Sequence, residues 1–321
     1  MDCCVVPLQI PGYSLVQTTD FFFPSVNDCY VQGRIAACNV LSDLYAMGLT
    51  RCDNMLMLLG VCTEMEEEDQ DYSSQEIIRG FNDTANEAGT QVRGGQTTYN
   101  PWPLIGGVAT VICKDDEIIL PENAQPGDKI ILTKPLGTQI TSSIPDFLRD
   151  KTMWSIFAEL LKEEEAEKAA KTGVKSMSTL NKTAAELMKK YHATSATDVT
   201  GFGFLGHSKN LLENQKKDVS FVMHTLPCIK YTKIFDEMMF YGLQEGTAKE
   251  TSGGLLFTLP AENAQAYIDD FFKIEGYKPW IVGDVVEGKK EVVMENLKIE
   301  ELKQETRFKS KFEQSFFFQS F

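Results

Sequence analysis

Three aspartates stand in segments too apolar or too glycine-rich to solvate a lone carboxylate. Any fold this chain adopts must supply each of them with a cation or with hydrogen-bond donors. Asp20 follows the run Leu15 to Thr19 and precedes Phe21, Phe22 and Phe23. Asp43 lies deep in a segment from Gly33 to Gly48 that is nearly free of charge after Arg34. Asp198 opens Asp198-Val199-Thr200-Gly201-Phe202-Gly203, just ahead of an apolar helical run containing His207. Brought together, three such carboxylates would make a hard-oxygen site able to hold Mg2+ against nucleotide phosphates. Plainer readings stand beside this one. Asp20, expected at the C-terminal end of a strand, could cap the turn that follows. Asp198 could be a simple helix N-cap. An Arg34–Asp43 ion pair is the plain reading for Asp43, but the two lie too far apart along a helix for an i,i+4 contact. His207 reads as a satisfied core or helix-surface histidine.

The chain has 321 residues, enough for two domains with a sizeable core in each. Its formal charge of −15 argues against a nucleic-acid backbone as the main partner. It does not exclude ATP, because a metal can screen phosphates from a carboxylate cluster. Two acidic stretches, Glu66 to Asp71 and Glu163 to Glu167, read as solvated surface. Eight cysteines without a CxxC pair, together with only three histidines, make a Cys/His zinc site improbable and point to reduced thiols. No run approaches the length of a membrane span. The first residues lack the basic and apolar regions of a signal peptide, so the expected location is cytoplasmic, with no membrane partner.

Strand-like segments are expected at Ser14 to Thr19, Met55 to Val61 and Gly106 to Cys113. Helices are expected at Tyr30 to Met47, stopped by Gly48, and at Ser73 to Ala88, stopped by Gly89. This order indicates a mixed α/β layer architecture. A polar stretch from Pro121 to Asp128, with two prolines and a glycine, suits a linker, giving expected domains of 1–121 and 122–321. Beyond it, Lys129 to Thr133, Ser220 to His224, Gly254 to Leu259, Trp280 to Val286 and Val292 to Leu297 look like strands. Thr152 to Met188 is rich in helix formers, and Ala264 to Phe272 reads as a helix. A tail from Phe308 to Phe321 carries six phenylalanines and is expected to pack on the core or on an oligomer partner, or to fray.

Gly94-Gly95-Gln96-Thr97 allows close backbone approach to an anion or nucleotide, or simple chain reversal. Glu250-Thr251-Ser252-Gly253-Gly254 is a second candidate for backbone approach. No GxxxxGK[ST] loop, kinase HRD or DFG pattern, or GxGxxG after a first strand is present, so any ATP use rests on another architecture.

As a set, these segments resemble the selenophosphate synthetases, or selenide, water dikinases, and look closest to their eukaryotic branch. The likeness runs in consistent order from Asp2 to about Val286, through Thr18-Thr19-Asp20, Asn39 to Gly48, Gly94 to Thr97, Asn100-Pro101-Trp102, Leu132 to Thr138, Ala196 to Gly203 and Glu250 to Leu256. It implies an aminoimidazole ribonucleotide synthetase-like fold: an N-terminal α/β domain whose sheets pair across a homodimer in a β-barrel-like interface, and a C-terminal α+β domain. The implied reaction consumes ATP, selenide and water and yields selenophosphate, orthophosphate and AMP, for selenocysteine synthesis. By motif match Asp2, Asp43 and Asp198 would bind magnesium. Asp20 would sit at the ATP with a further metal contact, and Gly94, Gly95, Gln96 and Thr97 would line the nucleotide pocket beside Asp20 and Asp43. A selenium-delivery protein is a further possible partner. The family carries its reactive Cys or selenocysteine, and a partner Lys, on a glycine-rich segment ahead of the point where this sequence starts. The chain as given is therefore expected to fold yet make little or no selenophosphate. Cys3 and Cys4 are poor substitutes because they lie in the strand-like part of the first motif. The competing reading is a non-catalytic nucleotide-binding homologue acting through dimerisation or partner contacts. A third is another enzyme of the superfamily, a small-molecule kinase or an amidine-forming synthetase.

Overall fold

A computed structural model of the chain describes residues 2–302, so the phenylalanine-rich tail lies outside the described residues. The first part consists of strands β1 (Cys4–Pro7) and β2 (Tyr13–Phe22), helix α1 (Cys29–Ala46), strand β3 (Asn54–Cys62), helix α2 (Glu67–Ala88), and strands β4 (Val92–Asn100) and β5 (Leu104–Lys114). The strands form one sheet in the order β1-β2-β5-β3-β4, antiparallel except for the parallel β3–β4 pair. Strict alternation in β2 buries Ser14, Val16 and Thr18 on the face that α1 covers. Helix α1 is apolar almost all round because it is buried along nearly its whole length. It starts on Asp28, whose side chain accepts from the Val31 N–H at 2.9 Å. Helix α2 begins at Glu67, earlier than its apolar spacing indicated, since Glu67, Glu68 and Asp69 suit the positive end of a helix. The two helices touch backbone to backbone: a Cβ on Gly33 would lie 2.0 Å from the Ile77 carbonyl oxygen, and one on Gly80 would lie 1.9 Å from that of Tyr30.

The second part contains β6 (Lys129–Leu132), α3 (Thr138–Arg149), α4 (Lys151–Trp154), α5 (Glu163–Met177), α6 (Lys182–Lys190), β7 (Ser195–Asp198) and α7 (Gly203–Glu213). It continues with β8 (Val219–Cys228), α8 (Thr232–Met239), β9 (Leu255–Leu259), α9 (Ala261–Glu275), β10 (Trp280–Glu287) and β11 (Val292–Glu301). Its six-stranded sheet runs β11-β8-β10-β6-β9-β7. The helix-rich stretch expected over Thr152 to Met188 is broken into α4, α5 and the start of α6. One hydrophobic core joins both parts, with Leu41, Leu44 and Tyr45 of α1 in the same cluster as Ile130, Leu132 and Leu256 of the second sheet. All eight cysteines are free thiols. Among the described residues no helix is long and apolar enough to cross a membrane.

Candidate functional site

Helix α1 is the hub of the site. The Thr18 hydroxyl of β2 donates to the Asp43 carboxylate, and the Asn39 amide, one turn earlier, donates to Asp20. From the other side, Asp198 ends β7 and Thr197 beside it donates to Asp2 Oδ1 at 2.9 Å. Ser42 of α1 lies within hydrogen-bond reach of Asp198. Four carboxylates from four separate stretches of sequence thus share one neighbourhood, and Asp43 and Asp198 both feel the charges of Asp2 and Asp20. Burial pushes Asp43 well above the ordinary carboxylate range, reinforced by the charge of Asp198 and then by Asp2 and Asp20. Asp198 is raised by burial first and by Asp2 next. Burial also raises Asp2 and Asp20, against the hydrogen bonds from Thr197 and Asn39. Mutual repulsion of this kind is relieved by a cation.

Two oxygens of the set, Asp2 Oδ2 and Asp198 Oδ2, are buried without a hydrogen-bond partner. An uncompensated buried carboxylate oxygen is expensive and calls for a ligand. Carboxylate oxygens are hard donors, matched to Mg2+ or Mn2+ and not to soft metals. Among the described residues no three His, Cys, Asp or Glu groups already stand gathered at ligand spacing.

The structure corrects several expectations. Asp20 lies inside β2, paired with Gly107, and so neither ends the strand nor caps a turn. Asp198 is not an N-cap, because α7 begins only at Gly203. Arg34 pairs with Glu87 at 2.7 Å, leaving Asp43 without that partner. Gly94, Gly95, Gln96 and Thr97 form no turn but belong to the exposed edge strand β4. Gly95, Met57, Gly107 and Asp20 form one cross-strand row, which puts Gly95 three strand spacings, roughly 14 Å, from Asp20. Gly95 must be glycine, since its φ is 145° and a Cβ there would lie 1.8 Å from the Met57 carbonyl oxygen. Cys3 is buried within the field of Asp43, Asp2 and Asp198, and burial drives its thiol far up, so it is no nucleophile. His207 is a satisfied buried histidine, its Nε2 facing the Thr200 hydroxyl at 3.2 Å and the Phe202 N–H at 3.4 Å.

Two supporting groups, Lys134 and Asn181, were given no role in the sequence reading, and Glu250 opens a segment named there only for backbone approach. Lys134 is fully buried and donates to the Thr179 and Ser252 carbonyls at 2.6 and 3.0 Å, and burial lowers its pKa to about 8. Asn181 donates to Ser42 Oγ and the Gly253 carbonyl. Glu250 accepts from the Gly137 and Thr138 N–H groups at 2.7 and 2.9 Å. The approach that Gly253 and Gly254 allow is to the protein's own backbone: a Cβ on Gly253 would fall 2.1 Å from the Val199 carbonyl oxygen and one on Gly254 2.4 Å from the Lys134 nitrogen.

Comparison with known proteins matches two family models, AIR synthase related protein, N-terminal domain, over residues 1–113, and its C-terminal domain over residues 125–296. Selenide, water dikinase 2 of Mus musculus is 51% identical over 292 residues, covering 90% of this chain and 65% of its own length. The chain therefore spans somewhat less than two thirds of that relative. Selenide, water dikinase of Dictyostelium discoideum is 46% identical over 317 residues, covering 96% of this chain and 87% of its own. Among solved structures, AaThiL complexed with AMPPCP and TMP superposes with a TM-score of 0.68 at 17% identity, covering 93% of this chain and 88% of the other. At that identity the likeness speaks to the fold.

Proposed function

Since the chain belongs to the AIR synthase related proteins and, among them, to the selenide, water dikinase family, we propose that it binds ATP as a magnesium complex and serves selenophosphate synthesis from selenide and water, with AMP and orthophosphate released. The observation that carries this reading is the pair of buried, donorless oxygens on Asp2 and Asp198 beside Asp43. In it, Asp2, Asp43 and Asp198 hold magnesium, with Asp20 at the edge of the same group. A bound Mg2+ would supply the positive charge that offsets these carboxylates and the negative charge of the nucleotide phosphates. The protein's own part is positional. Thr18 and Asn39 fix two of the carboxylates, Thr197 fixes a third, and burial keeps water from screening them. The exposed edge of β4 offers Gly94, Gly95, Gln96 and Thr97 to the nucleotide. The outer face of the first sheet, with Val6, Phe21 and Ile112 at 45, 58 and 44% exposure, supports a homodimer through that face.

The test is product identity. Any selenide-dependent turnover of ATP with Mg2+ should release AMP and orthophosphate in equal amounts, with selenophosphate visible by 31P NMR. ADP as the sole end product, indifferent to selenide, contradicts the reading.

A further inference from the structure

Asn39 uses both ends of its amide to join the two parts of the molecule. Its Nδ2 donates to Asp20 on β2, while its Oδ1 accepts from the Ser252 N–H at 2.9 Å, in the segment leading into β9. It is 4% exposed, so neither bond is readily exchanged for water. The Ser252–Gly253 stretch it grips is unusually constrained. Ser252 sits at φ 47°, a left-handed conformation that residues other than glycine seldom adopt. Lys134 holds its carbonyl, and Asn181 ties the next carbonyl to Ser42 of α1. A strained backbone persists only where its surroundings over-determine it, and here three buried side chains do so. An amide held at both ends cannot rotate without breaking a bond, so the orientation of Asp20 is linked to the seating of residues 250–254.

We propose that Asn39 is a positioning residue that sets the Asp20 carboxylate from the 250–254 segment, so that the cation–nucleotide site is fully formed only when the two parts of the chain are docked. This rests on the magnesium–ATP reading above. Groups that orient metal-site carboxylates from behind are worth about 10- to 100-fold in metal affinity.

The test measures Mn2+ uptake by electron paramagnetic resonance in the presence of ATP, alongside the thermal midpoint, for the wild-type chain, Asn39→Ala and the exchanged pair D20N/N39D. Asn39→Ala should weaken Mn2+ binding about tenfold or more. In the exchanged pair, the amide on β2 donates to a carboxylate on α1 that still accepts from Ser252. Its thermal midpoint should recover while its Mn2+ affinity does not. A lowered midpoint with unchanged Mn2+ affinity in Asn39→Ala, or wild-type affinity in the exchanged pair, overturns the proposal. A wild-type chain that takes up no Mn2+ with ATP overturns the functional reading, and this one falls with it.

Discussion

Glu250 shows how a single buried carboxylate leaves a mark on the whole chain. Burial raises its pKa from 4.5 to about 7, although Thr138 and the Gly137 N–H donate to it. For a raised folded-state pKa, the stability contributed is complete below pH 4.5 and is lost as pH rises through about 7. His207 runs the other way: burial lowers it to about 4, so its contribution is complete above its ordinary 6.5 and lost as pH falls through about 4. The difference between wild type and Glu250→Gln isolates the carboxylate. In urea titrations from pH 4.5 to 8, the wild type should lose up to about 3 kcal/mol that the variant does not lose over the same range. Parallel curves would contradict the assignment. The same reasoning applies to metal-free Asp198, raised by burial to about 7, whose contribution to stability is lost as pH rises from 5 to 8. Addition of Mg2+ with ATP should restore the thermal midpoint at pH 8 and leave it nearly unchanged at pH 5.

At the scale of elements, the position of α1 decides the site, because Asn39, Ser42 and Asp43 all ride on it. Its contact with α2 has no room for a side chain at Gly33 or Gly80. Gly80→Ala should cost about 1–3 kcal/mol or more in urea unfolding. It should also weaken Mg2+-dependent ATP binding, although it touches none of the carboxylates. Along β4 the two glycines separate. Gly95→Ala should unpair β3 and β4, whereas a Cβ on Gly94 meets only Leu56 Cδ2 at 3.6 Å. Gly94→Ala should therefore stay within about 0.5 kcal/mol of wild type, and a drop in ATP affinity there would report backbone contact with the nucleotide. Much of this element map was legible in the sequence. The apolar helix around Asp43, the buried run of β3 and the strand of β5 all announce themselves by period and length. Other elements did not. Helix α3 hides behind Thr and Ser and carries Pro145 within it, β7 is only four residues long, and the glycines of β4 look like a turn. Asp20, Asp43 and Asp198 stood out because a charge in apolar sequence is conspicuous. Asn39, Asn181 and Lys134 did not, since they pair with groups distant in sequence, several of them backbone carbonyls or N–H groups.

At the scale of the whole molecule, two sheets share one core, and the carboxylates lie where β2, α1 and β7 meet. In the proposed homodimer, a second copy would dock on the half-exposed apolar face of the first sheet. Ile112→Glu should shift the chain from dimer to monomer in sedimentation velocity without lowering its thermal midpoint by more than a few degrees, and a wild-type monomer would refute that interface. The central claim is that four carboxylates form one cation-dependent nucleotide site. It is tested most directly by equilibrium ATP binding, with and without Mg2+, for wild type, Asp43→Asn and Asp198→Asn. The wild type should bind ATP tightly only with Mg2+. Both variants should lose about 100-fold or more of that affinity while the metal-free chains become more heat-stable at pH 8. ATP binding that ignores Mg2+, or variants that bind like wild type, would contradict the account.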